Sequence, residues 1–144
     1  MIYDTGLNPV IPSYHADFAY GCHNEPVVIH HLSKYFNEPI EKTKDRYCPY
    51  DAFSNTTKYE IKSRRCKSTT FASTIIPIHK VIANDDVRLV FVFHFTDGLF
   101  YIVYDKDVFD KFEKKHVIAY RQGIANIPVL HYFIPVSQLI EIVV

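Results

Sequence analysis

Residues 47–64, with the sequence YCPYDAFSNTTKYEIKSR, decide the predicted fold. They hold two short β-like runs separated by Asn-Thr-Thr, which suits a turn, so the stretch predicts a β-hairpin. Side chains alternate across a strand, so Glu60 and Lys62 share one face of the second run. Asp51 lies on the first run, where it can approach Glu60 across the hairpin. The hairpin therefore predicts two carboxylates and one ammonium group at one place.

This cluster of charges suits a divalent metal ion and a phosphodiester. Two adjacent carboxylates repel each other unless a positive charge lies between them. Mg²⁺ prefers oxygen ligands and keeps several waters, so Asp51 and Glu60 would suffice as side-chain ligands. A metal there can contact a phosphate oxygen and lower the pKa of a bound water, while Lys62 can orient that water or neutralise developing charge. These residue types predict hydrolysis of phosphodiester bonds with Mg²⁺, for which Mn²⁺ should substitute.

The pattern Glu-x-Lys is common, and a second copy in this chain serves as a control. About one such triplet is expected by chance in a chain of this size. Glu113-Lys114-Lys115 also fits, but it lies at the polar end of a predicted helix and lacks an apolar middle residue and a partner acid. Glu60-Ile61-Lys62 has both. Glu25 adds a carboxylate at the start of an apolar helical stripe, on the face expected to look inward; the stripe is Ile29, Leu32 and Phe36.

Glu25 in a helix, Asp51, and Glu60-Ile61-Lys62 together resemble the PD-(D/E)XK nuclease superfamily. That family includes restriction endonucleases, Holliday-junction resolvases and repair nucleases. The resemblance implies that Asp51 and Glu60 bind the metal and that the carbonyl of Ile61 is a further ligand. It implies that Lys62 is the catalytic lysine and that Glu25 supports the metal directly or through water.

The same resemblance implies an α/β fold with a restriction-endonuclease-like core, in which a central mixed β-sheet is flanked by helices. It covers residues 21 to about 104, and Tyr50 stands where many family members have a proline. The chain has 144 residues, which suffices for one hydrophobic core, so we expect one nuclease-like domain over 1–144.

A basic strip beside the hairpin indicates a nucleic-acid partner, and the family makes DNA the expected one. The chain has 16 basic and 16 acidic residues, so its attraction to a polyanion must be local. The residues expected to contact nucleic acid are Lys58, Arg64, Arg65, Lys67 and Lys80, and Arg121 could extend the strip. His79 and Lys80 follow Pro77, where they could reach the substrate or belong to a plain loop or helix start.

Apolar periodicity and turn residues predict the remaining elements. The clearest is a second hairpin, in which Asp97-Gly98 separates two runs rich in Val, Phe and Leu. Its aromatic residues could form a stacking platform, but the alternation of Phe91, Phe93 and Phe95 favours a buried face. The predicted set is a helix 24–36 capped by Asn24; strands 47–54, 58–64, 87–95 and 99–104; a helix 105–114; strands near 116–120 and 130–134; and a closing helix 135–143. Residues 67–84 stay ambiguous.

Composition and motifs exclude several function classes. Three widely spaced cysteines without a C-x-x-C pair suit reduced thiols, and the spacing of Cys22, His23, His30 and His31 does not suit structural zinc. The chain has no Gly-rich phosphate loop and no G-x-S-x-G elbow. It shows no signal peptide and no apolar run long enough for a bilayer, so we expect no membrane association and an intracellular, for example viral or nucleoid-associated, protein.

Two functions stay open. The first is a Mg²⁺-dependent endonuclease, for which a homodimer that cuts both strands is an expectation. The second is a catalytically inactive nuclease-fold module that binds nucleic acid or serves as a structural subunit. The plainer alternatives for single features are a surface ion pair in the hairpin, a helix-dipole role for Glu25, and a solvated strand edge for Arg64-Arg65-Lys67.

Overall fold

The computed structural model describes residues 24–84, 86–118 and 127–144. Within these ranges a six-stranded sheet carries a helix on one face and a three-stranded sheet on the other. The elements are α1 (24–36), β1 (Glu41–Lys42), β2 (Ala52–Phe53), β3 (Thr57–Ser63), β4 (Ser73–Pro77), α2 (Ile78–Ile82), β5 (Arg88–Phe95), β6 (Gly98–Val103), α3 (Lys106–Phe109), β7 (Glu113–Ile118), β8 (Pro128–Pro135), a 3₁₀ turn (Val136–Gln138) and β9 (Ile140–Ile142).

The six-stranded sheet is mixed, with the strand order β1-β2-β3-β5-β6-β9. The neighbours β3 and β5 are parallel, and all other neighbouring pairs are antiparallel. The connection from β3 to β5 passes through β4 and α2, because parallel strands need a crossover. The predicted α/β class with a central mixed sheet is confirmed.

The helix α1 covers one face of this sheet. Val28 and Leu32 on α1 pack against side chains of β3 and β5 that include Tyr59, Ile61 and Val92. The predicted helix 24–36 is confirmed within the described residues, although Asn24 is itself helical rather than a cap. The burial of Tyr59 and Ile61 beneath α1 turns the alternate side chains of β3 to the opposite face.

The opposite face is covered by a sheet with the order β4-β8-β7, together with the short helices α2 and α3. Phe91, Phe93 and Phe95 of β5 are buried there, as their alternation predicts, against Ile76 of β4 and Ile134 of β8. Helices were expected on both faces of the sheet. One face carries the long helix α1, whereas the other carries mainly a second sheet with two short helices. The β5–β6 hairpin turns at Asp97-Gly98, as predicted.

Several predicted elements are wrong. The helix expected over 105–114 has only four residues, because Glu113 already belongs to a strand paired with Phe133. The closing helix expected over 135–143 is a single 3₁₀ turn followed by β9, which adds an edge strand beside β6. The first hairpin strand, expected over 47–54, is reduced to Ala52–Phe53.

Pro77 ends β4 and begins α2, which resolves the ambiguous region 67–84. Cys48 and Cys66 carry free thiols. Cys22, His23, Gly123 and Arg121 lie outside the described residues. Every helix in the described ranges is too short or too polar to cross a membrane.

Candidate metal centre

The strand β3 presents Glu60 and Lys62 on the face opposite α1. In the parallel register Glu60 lies beside Phe91 and Lys62 beside Phe93, both of which belong to the core under the small sheet. Glu60 is only 2% exposed, and Lys62 Nζ lies 3.3 Å from its Oε1. A carboxylate in such a place needs compensating charge or hydrogen bonds, because burial removes its hydration.

Asp51 reaches the same place from the residue before β2. Its backbone N–H donates to the carbonyl of Tyr59 at 2.9 Å, and its Oδ2 accepts a hydrogen bond from the N–H of Ile61 at 2.7 Å. The two-residue β2 does not pair with Ile61, so the Asp51 side chain takes the place of a strand at that donor. This contact fixes the carboxylate beside Glu60.

The pKa of Asp51 is raised from 3.8 to about 6. Burial is the largest cause of the increase, and the charge of Glu60 is the second. The hydrogen bond from Ile61 and the charges of Lys62 and Lys80 act in the opposite direction. A carboxyl that is desolvated beside the charge of a second acid belongs to a site that a cation would stabilise.

The two oxygens of Glu60 have different surroundings. Oε1 lies 3.3 Å from Lys62 Nζ and 3.3 Å from Lys80 Nζ. Oε2 is buried and accepts no hydrogen bond from any described residue. A buried polar atom without a partner costs about 1–3 kcal/mol, and more when it is charged. The unsatisfied oxygen therefore has capacity for a cation or a donor that the described residues do not supply.

Lys80, predicted to contact nucleic acid, comes to this site from α2 and forms an ion pair with Glu60. Val81, its neighbour, is buried in the core between the sheets, which turns Lys80 toward β3. The side chains of Lys62 and Lys80 are 27% and 24% exposed, so both are only partly buried. Burial lowers the pKa of Lys62, while the charge of Glu60 opposes that effect.

Glu25 on α1 forms the third acid of the predicted site. Its Oε1 lies 3.4 Å from Lys42 Nζ, and its side chain is 18% exposed. Burial raises the pKa of Glu25, and the charge of Asp51 raises it as well. Glu25 is thus close enough to Asp51 for its charge to matter, and Lys42 balances it.

The donor set fits a hard divalent cation with few protein ligands. In the described part of the chain, no three Asp, Glu, His or Cys side chains form a group that could hold a metal ion. Mg²⁺ usually keeps several waters and needs only one or two carboxylates. Asp51, Glu60 and the carbonyl of Ile61 meet that requirement.

The residues predicted to contact nucleic acid lie in different surroundings in the structure. Arg64 ties β3 to β4, since its Nη2 donates to the carbonyl of Ile75 at 2.8 Å and its Cζ lies 5.8 Å from the centre of the Phe93 ring. Lys58 lies over the ring of Tyr50 at 4.6 Å. Arg65 and Lys67 are exposed on the loop after β3.

Sequence reasoning missed His131 on β8. It is 2% exposed, and its Nδ1 lies 2.7 Å from the carbonyl of Val129. Burial lowers its pKa, and the charges of His79, Arg64 and Lys62 lower it further. The charge of Lys62 thus affects the pKa of this buried imidazole. His131 belongs to no motif, so no sequence signal could have found it.

The second Glu-x-Lys triplet is an internal control for the site. Glu113 and Lys115 lie on β7 rather than at a helix end, and their side chains are 60% and 58% exposed. Lys115 Nζ lies 3.1 Å from Glu113 Oε1, in contact with water. The same residue types therefore form an ordinary surface pair on β7 and a buried cluster on β3.

No protein-family model, no curated protein and no solved structure gives a significant match to this chain.

Proposed function

We propose that this chain is a divalent-metal-dependent nuclease of the PD-(D/E)XK type, which hydrolyses phosphodiester bonds with DNA as the expected substrate. The observation that carries the proposal is Glu60, which is buried with one oxygen held by two lysines and the other without a hydrogen bond from the described residues. Asp51 beside it provides the second carboxylate that Mg²⁺ or Mn²⁺ needs.

The charges at the site match those of phosphodiester hydrolysis. Asp51 and Glu60 carry two negative charges, and Lys62 and Lys80 carry two positive ones. A divalent ion would leave an excess of two positive charges. A phosphodiester and an attacking hydroxide bring two negative charges, so the loaded site is again neutral. Electrostatic stabilisation of this kind is usually the largest contribution to catalysis.

Each residue has a role that follows from its position. Asp51, Glu60 and the carbonyl of Ile61 would hold the ion, and the Ile61 N–H keeps Asp51 in place. When bound, the ion supplies positive charge to the phosphate and acidifies water. Lys62 orients the water that attacks phosphorus. The water oxygen bonds to phosphorus and loses a proton to solvent, the bond from phosphorus to the departing sugar oxygen breaks, and that oxygen takes up a proton from solvent.

Lys80 acts beside Lys62 in this proposal. Its ammonium group is as close to Glu60 Oε1 as that of Lys62, and the two side chains are about equally exposed. An ammonium in this position can donate to a non-bridging phosphate oxygen, where negative charge increases in the transition state.

The second candidate is a nuclease-fold module without catalysis. It is favoured by one observation: the two acids and two lysines are already neutral as a set, so the fold tolerates the cluster without a metal. Calorimetric titration with Mg²⁺ and Mn²⁺ separates the two candidates. If the wild-type protein releases or absorbs heat on metal binding and Asp51→Asn does not, the nuclease is supported. If the wild-type protein shows no heat of binding, the module is supported.

The decisive test compares variants on β3 with matched variants on β7. Asp51→Asn and Lys62→Ala should each lower cleavage by about 10²- to 10³-fold, since each removes a charge from the reacting centre. Glu113→Gln and Lys115→Ala remove the exposed copy and should leave cleavage unchanged. The substrates are single-stranded, duplex and branched DNA and RNA with Mn²⁺. Full cleavage by a folded Asp51→Asn or Lys62→Ala protein would refute the proposal.

A further inference from the structure

The loop that precedes Asp51 is closed at its base by a backbone hydrogen bond to Asp51. The N–H of Thr43 donates to the carbonyl of Asp51 at 2.9 Å, so residues 44–50 project from this point. We call residues 43–51 the Asp51 loop. Its tip is an ordered turn, because Asp45 Oδ1 accepts from the N–H of Tyr47 at 2.9 Å and the Asp45 carbonyl accepts from the N–H of Cys48 at 3.0 Å. The turn fixes what the tip presents to solvent.

The tip presents an aromatic ring. Tyr47 is 79% exposed and belongs to neither core cluster of the described residues. Arg46 braces it, with Nη2 donating to the Tyr47 hydroxyl at 2.7 Å and Cζ lying 4.9 Å from the ring centre. The ring stays largely exposed beside this guanidinium. An exposed aromatic with an adjacent cation is the arrangement that binds nucleobases by stacking.

The surroundings of the loop suit a polyanion that continues past the metal centre. One side adjoins an open cleft lined by Glu41, Lys42, Thr43 and Lys44. Lys42 connects this cleft to Glu25, whose pKa responds to the charge of Asp51. On the other side Tyr50 lies under the ammonium group of Lys58. Cations thus border the loop on both sides, and on the side of Lys58 an aromatic ring lies beside the cation.

We propose that the Asp51 loop stacks an unpaired nucleobase on Tyr47, so that the site acts on phosphates next to single-stranded or branched segments. The part of this inference that concerns cleavage rests on the proposed function, whereas the part that concerns binding does not. Bases inside a duplex already stack on each other, and freeing one costs a few kcal/mol. Tyr47 therefore discriminates in favour of bases that are already free. Arg46 places a positive charge where the backbone of that nucleotide would lie.

Binding is measured without metal, so that the test does not depend on catalysis. Fluorescence anisotropy in EDTA compares a single strand, a blunt duplex and a duplex with a single-stranded flap, all of one sequence. Tyr47→Leu should weaken binding to the single strand and the flap by about 5- to 150-fold and leave the duplex unchanged. Tyr47→Phe keeps the ring and should bind like the parent. Ile140→Ala alters an exposed side chain on β9, at the opposite edge of the sheet from β1, and serves as the control.

The outcomes separate this inference from the nuclease proposal. A loss confined to unpaired substrates supports stacking, and quenching of 2-aminopurine in the flap by the parent but not by Tyr47→Leu supports it directly. Equal losses on duplex and single strand, or no loss at all, would overturn it. If binding changes as expected while no DNA is cut with Mn²⁺, the stacking loop stands and the nuclease proposal fails.

Discussion

Asp51→Asn should change the pH dependence of stability in a direction that the site geometry fixes. The pKa of Asp51 in the folded protein is about 6, against an ordinary value of 3.8. A carboxyl whose pKa is raised on folding stabilises the fold when it is protonated, and that contribution is lost as the pH rises through the folded value. The wild-type protein therefore loses free energy of unfolding between about pH 4 and pH 6 because of this one group.

The magnitude follows from the two pKa values. Their difference, at about 1.4 kcal/mol per pH unit, corresponds to about 3 kcal/mol. Asparagine stays neutral and keeps an oxygen that can accept from the Ile61 N–H. The difference in free energy of unfolding between Asp51→Asn and wild type should therefore grow by up to about 3 kcal/mol in favour of the variant between pH 4 and pH 7.5.

Urea denaturation followed by far-ultraviolet circular dichroism at pH 4, 5, 6, 7 and 7.5 measures this difference. Glu113→Gln is the control, and its difference from wild type should stay flat because Glu113 is exposed. Mn²⁺ at about 100 times its dissociation constant should restore about 2.7 kcal/mol to the wild type at pH 7.5 and much less to Asp51→Asn. A difference that stays flat from pH 4 to 7.5 would show that Asp51 is not held desolvated beside Glu60, and the site description would be wrong.

Two further predictions test the site and the fold. Lys80→Ala leaves Oε1 of buried Glu60 with Lys62 alone, so the free energy of unfolding at pH 7 should fall by about 1–3 kcal/mol; an unchanged urea midpoint would show that the Lys80 contact contributes nothing. Phe109→Ala should lower the free energy of unfolding by about 3–5 kcal/mol, because this fully buried ring contacts those of Phe91, Tyr104, Phe112 and Tyr132. Val108→Ala changes an exposed neighbour and is the control. A loss below about 1 kcal/mol in Phe109→Ala would contradict the packing between the sheets.

Local patterns were sufficient for α1, β3 and the β5–β6 hairpin. The β5–β6 hairpin follows from its Asp-Gly turn and β-branched and aromatic runs, and α1 follows from its apolar stripe. The shared face of Glu60 and Lys62 follows from strand alternation alone, since any strand over these residues puts them together. These features depend on residues a few positions apart.

The wrong elements are those whose conformation depends on a distant partner. Residues 136–143 have a spacing of apolar side chains that also suits a helix, but the edge of β6 offers Ile140–Ile142 a partner strand. Glu113 continues as β7 because β8 lies beside it. Pairing between residues far apart in sequence outweighs local propensity, which differs by only about 1 kcal/mol among most residues.

The sequence by itself determined which charges share the face of β3 and that they would meet an acid from the preceding segment. Only the tertiary structure decided that the cluster is buried, that Lys80 from α2 joins it, and that one oxygen of Glu60 has no hydrogen bond from the described residues. The physical reason is that alternation along a strand is a local property of the backbone. Burial and the approach of Lys80 depend on how the crossover between β3 and β5 packs against the small sheet. That packing separates the buried triplet on β3 from its exposed copy on β7.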